Sequence, residues 1–203
     1  MKWSEVYTEI LSRAGEGYDA YLSRATEMFW KAVSNIINTG EFDDNEVRYM
    51  VSRYTRTISR EDFANGKYNL MRIWSDQAVP DENLTPFVTH EIFRYNVELT
   101  PVAPTFMKFN QVTMETLRSS HILASLSEAT GIRSLIWSFD YPDITISTIT
   151  AHQPFRCNAT LSTYGIPRTA MQDADTSSDL YMSHNFLIRA IETAVKLLKT
   201  ETE

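Results

Sequence analysis

The residues able to do chemistry are few: four histidines, one cysteine and a scatter of acids. The histidines are His90, His121, His152 and His184. No two of these have a metal-ligand spacing such as i,i+4 on one helix face. HExxH, the Gly-x-Ser-x-Gly elbow and the Gly-x-x-x-x-Gly-Lys-Ser/Thr loop are all absent, so three common enzyme classes lack their signatures. Asp140 and Asp143 flank Tyr141-Pro142. Paired carboxylates can share acid–base work, and a hydrolase would use them with His152. Asp beside Pro is more often a turn former. Cys157 alternates with Phe155, Ala159 and Leu161, which marks it as a buried, inert thiol rather than a nucleophile. Asp43, Asp44, Asn45 and Glu46 look like a shortened calcium loop, but they miss the twelve-residue pattern and suit a helix cap. Phe93, Tyr95, Phe106 and Phe109 would stack on a sugar or base, or fill the core of a sheet. The expectation is no catalytic residue, no cofactor and no metal.

Composition agrees with an ordinary globular chain of 203 residues, with 43% hydrophobic and 22% charged residues. That length fits one domain, residues 1–203. Net charge is -7 and no Lys/Arg cluster stands out, which disfavours a protein that grips phosphates. One cysteine excludes an internal disulfide framework and fits a reducing compartment. The N-terminal residues do not read as a signal peptide, and no apolar run approaches the ~20 residues of a membrane span. A soluble protein with no membrane partner is expected.

Hydrophobic spacing supplies the elements that would position these side chains. Ser4 to Arg13 predicts a helix. Tyr18 to Thr39 predicts a longer one, with Tyr21, Ala25, Met28, Phe29, Ala32, Val33, Ile36 and Ile37 at steps of three and four, and Gly40 as its C-cap. Asp43 or Asp44 would cap a third helix carrying Val47, Met50, Val51, Tyr54 and Ile58. Asn65-Gly66 marks a turn, after which the period shortens. Lys67 to Trp74, His90 to Leu99, Phe106 to Val112, Leu135 to Tyr141, Ile144 to Ile149 and Phe155 to Tyr164 read as strands. Ser75–Pro86 and Gly165–Ser178 read as loops, and residues 113–130 as a short helix plus loop. Asp179 to Glu203 closes the chain with an amphipathic helix, capped at Ser183 and apolar at Phe186, Leu187, Ala190, Ile191, Ala194, Val195 and Leu198.

Helices first, then strands, then one helix, predict an α+β fold. The last helix needs a partner for its stripe, and the N-terminal helices offer one. The expected architecture is therefore a helical bundle from residues 1–64 and 179–203, with an antiparallel β-rich insertion at 65–178.

Two stretches carry a family likeness: "YLSRATEMFWKAVSNIINTGEFDDNEVRYMV" and "ATLSTYGIPRTAMQDADTSSDLYMSHNFLIRAIETAVKLLKTE". Their layout resembles the head-to-tail connector (adaptor, or neck-ring) proteins of tailed bacteriophages, in which both chain ends build a helical bundle and a β region is inserted. The resemblance covers about half of the chain. It implies a structural virion protein made in the host cytoplasm. About twelve copies would ring the DNA channel, docked between the portal protein and a downstream neck or tail protein, with DNA passing through without specific binding. Its acidic balance suits a channel that must not trap DNA. A terminal grip on the portal is short here, Thr200 to Glu203, which leaves the loops at Ser75–Pro86 and Gly165–Ser178 as alternative contacts. Trp30, Tyr49 and Trp74 lie off the clearest core faces and are candidates for contacts between subunits, or for core on a second helix face. Another tail-completion or tail-tube protein is the neighbouring alternative, and a carbohydrate- or peptide-binding β module the more distant one.

Overall fold

The computed structural model describes residues 1–15, 21–69, 89–102, 108–118, 134–140, 143–147, 154–172 and 177–202. The fold is mixed α+β, with helices α1 (Trp3–Ala14), α2 (Leu22–Thr39), α3 (Met114–Arg118), α4 (Arg168–Gln172) and α5 (His184–Thr202). Its strands are β1 (Val51–Ser59), β2 (Lys67–Asn69), β3 (His90–Pro101), β4 (Lys108–Gln111), β5 (Ser134–Asp140), β6 (Asp143–Ile146) and β7 (Arg156–Pro167). They make a three-stranded sheet, β1-β7-β3, and a four-stranded sheet, β2-β6-β5-β4. The chain divides into two compact units: Met1–Ser52, Thr85–Asn96 and Ser162–Glu203 form the first, Arg53–Leu84 and Val97–Leu161 the second.

In the first unit α1, α2 and α5 share one apolar core. On α2, Met28, Phe29, Val33, Ile36 and Ile37 are buried on one face, and Gly40 ends the helix with φ 75°, the left-handed conformation that glycine adopts without a Cβ penalty. On α5, Ser183 caps the start by accepting from the Phe186 amide at 3.2 Å. Phe186, Leu187, Ala190, Ile191, Ala194 and Leu198 then point into the core. Each of the large ones contributes about 1.5–3 kcal/mol by leaving water. At the far end Glu201 of α5 receives Lys31 at 2.5 Å and Arg24 at 2.9 Å from α2.

The third expected helix is not there. Residues 44–50 are turns, and Val51–Ser59 is the strand β1. The helical spacing of Val47, Met50, Val51, Tyr54 and Ile58 hid a second signal: Val51, Tyr54, Thr55, Thr57 and Ile58 are β-branched or aromatic. Strand pairing satisfies this segment instead, with Thr55 and Thr160 hydroxyls 3.0 Å apart and Thr57 donating to Asn158 at 2.7 Å. The cap survives without its helix. Asp43 Oδ1 accepts from the Asn45 amide at 2.7 Å, and Glu46 accepts from the Asp43 amide at 2.9 Å.

In the second unit the core is Ile58, Val97, Leu99, Leu117, Leu135, Trp137, Ile144, Cys157, Ala159 and Leu161, all buried. Asn65 (φ 53°) and Gly66 (φ 75°) make the two-residue turn between Ala64 and Lys67, whose amides and carbonyls exchange hydrogen bonds. The β region is not wholly antiparallel. β4 and β5 pair in parallel, Phe109 opposite Leu135, while β5–β6 and β2–β6 are antiparallel. A parallel pair needs a crossover connection, and α3 lies on that path between β4 and β5. The remainder of the ambiguous segment 113–130 lies outside the described residues, as do most of Lys67 to Trp74 and all of Ser75–Pro86. The expected loop Gly165–Ser178 instead begins with the end of β7 and α4.

Candidate functional site

Among the described residues the chemistry-bearing side chains do not converge. His90 opens β3, half-buried, with Nδ1 2.8 Å from the Thr89 hydroxyl, and burial lowers its pKa. His184 is exposed in the first turn of α5. His121 and His152 lie outside the described residues. Asp140 and Asp143 face each other across the β5–β6 hairpin in direct register. Cys157 is fully buried in β7, and burial, with Asp62 adding to it, pushes its thiol pKa up to about 12. Among the described residues no group of three His, Cys, Asp or Glu side chains is placed to hold a metal ion.

Two shallow cavities occur among the described residues. One, about 350 Å³, follows the outer face of α1 along Ser4, Glu5, Thr8, Glu9 and Ser12. Its groups are engaged locally: Thr8 donates to the Ser4 carbonyl at 2.9 Å, and Arg13 to Glu9 at 2.7 Å. The other, about 620 Å³, lies beside Gln111, Thr113, Met114, Ser138 and Phe139. There Thr113 accepts from the Thr116 amide at 3.2 Å as the cap of α3. In neither does a described lining hydroxyl hydrogen-bond to a carboxylate or an imidazole.

The aromatic stripe is split between the two units. Phe93 stacks on Trp30, centroids 6.1 Å apart and planes 8° from parallel. Phe109 meets Phe155 edge-on at 6.2 Å. Tyr95 is 37% exposed, and Phe106 lies outside the described residues. Trp30, a candidate for subunit contact, is half-buried within its own unit. It packs edge-on against Trp3 and Phe29, and its indole donates to Tyr7 Oη at 3.2 Å. Tyr49 is the opposite case, 60% exposed, with the Arg48 guanidinium 4.4 Å above its ring. Trp74 lies outside the described residues.

The acidic turn 43–46 serves the fold. Glu46 pairs with Arg189 of α5 at 2.6 Å, and its carbonyl accepts from the Ser183 amide at 2.9 Å. What sequence reading missed is charge on the sheet. β1 carries Arg53 and Arg56 with no acid, while β3 carries Glu91 and Glu98 together with Arg94. Arg53 and Arg56 are three apart, so strand alternation sends them to opposite faces and leaves Arg53 on the exposed face with Thr55 and Thr57. No helix among the described residues is long and apolar enough to cross a membrane. No protein-family model and no curated protein matches the chain.

Proposed function

We propose that this chain is a structural virion protein, a subunit of the connector ring that joins the portal to the tail of a bacteriophage and lines the DNA exit channel. One observation carries the reading: helices from the two ends of the sequence, α1 and α2 with α5, share a single apolar core. A core shared by helices from both ends, with the strands in the intervening chain, supports that reading. The chain acts by shape rather than by catalysis. About twelve copies close into a ring, the portal protein and a downstream neck or tail protein bind its two faces, and DNA passes without specific contacts. Tyr49, exposed beside Arg48, serves as an aromatic anchor between subunits.

The test is electron cryo-microscopy of the purified chain, alone and mixed with the portal protein of the same phage. A closed ring seated on the portal is the expected result. A chain that stays monomeric and never co-purifies with portal or tail overturns the reading.

A further inference from the structure

Edge strands present a row of unpaired backbone groups, and proteins usually blunt them with short strands, internal proline or bulges. Among the described residues β1 and β3 are the edges of the three-stranded sheet, and neither is short or interrupted by proline. They run nine and twelve residues, with proline in neither interior. Their exposed side chains differ in charge. β1 presents Arg53, Thr55 and Thr57, and β3 presents Asn96, Glu98 and Thr100. Neither Arg53 nor Glu98 forms an ion pair among the described residues. In an antiparallel sheet of three strands the two edges point the same way. Joining β3 of one copy to β1 of another is therefore parallel and heterologous. It leaves an open edge at each end, the arrangement that closes by rotation into a ring.

Resting on the ring reading above, we propose that the seam between subunits is this edge pairing, with Arg53 of one copy against Glu98 of the next, making one sheet continuous around the ring. The test is a charge-swap series in the full chain, read by native mass spectrometry and sedimentation. Arg53→Glu and Glu98→Arg each weaken self-association about ten-fold or more, and the double variant R53E/E98R regains most of it, as expected of directly coupled sites. Cysteines give an independent arm, because the native Cys157 is buried. Arg53→Cys mixed with Glu98→Cys cross-links on mild oxidation, and neither does so alone. Rings that form normally in every variant, with no cross-link, overturn the seam and leave the ring reading standing. Wild-type chain that never assembles overturns both. Duplex DNA retained by wild type, lost in R53E and not regained in the double variant marks β1 as a phosphate-contact strip and overturns the seam.

Discussion

At Gly165 of β7 the neighbouring strand comes so close that a methyl group on its α carbon would sit 2.5 Å from the Glu91 carbonyl oxygen and 2.7 Å from Ile92 Cδ1. Backbone cannot yield as a side-chain tip can, so Gly165→Ala should cost about 1–3 kcal/mol, measured by urea titration. A loss below a few tenths would mean that β3 has room to move. Cys157 gives a chemical readout of the second unit. Its thiol, raised to about 12 by burial, should resist a disulfide-exchange reagent until the protein unfolds. Glu201 gives an acid readout of the first. Its carboxyl sits below the usual range, chiefly through the hydrogen bond from Lys31, with Arg24 adding to it. A depressed folded pKa contributes stability above the unfolded pKa, and that contribution is lost as pH falls through the folded value. Stability should therefore decline from about pH 4.5 downward, and Glu201→Gln should flatten part of that decline in thermal melts.

Arg189 joins two elements by clasping Glu46 and the Glu41 carbonyl from the start of α5. Its guanidinium is partly exposed, so Arg189→Ala should cost about 1 kcal/mol, while Phe186→Ala one turn away should cost about 3–5 by opening a cavity. Equal effects in denaturant melts would contradict this ranking. The helices α2 and α5 were legible in the sequence because their stripes and caps agree on one period. β7 was legible because its strict alternation, Phe155 to Thr163, faces the core on odd positions. β1 was not. Its apolar residues satisfied a helical count, and the acidic cap before it was real, so the deciding fact was the pairing with Asn158 and Thr160 a hundred residues on. The parallel β4–β5 pair was hidden for a like reason, since register is a long-range property that no local window contains. Of the candidate contact residues, Tyr49 is exposed, in keeping with its place off the apolar stripes. Trp30 shows the limit, because its distance from the main stripe gave no sign that Trp3, Tyr7 and Phe93 would surround it.

On the scale of the whole molecule, ring assembly and the portal mixture test the function, and the charge swap tests how copies join. Salt adds a discriminating prediction. If Arg53 and Glu98 meet at an exposed seam, raising ionic strength toward 1 M should loosen self-association while leaving the melting of each unit little changed, because exposed pairs are screened and buried apolar cores are not. One feature of the first unit reaches back to synthesis: Lys31 and Glu201, which clasp α2 to α5, are 170 residues apart in the chain. Ribosomes add about 5–20 residues each second, so the greasy side of α2 waits roughly ten to thirty seconds for its cover. Through that interval Met28, Phe29, Val33 and Ile36 are offered to any neighbour, including another nascent copy. Sparser ribosomes on the message or added chaperone should raise the yield of correctly folded chain, measured as soluble protein.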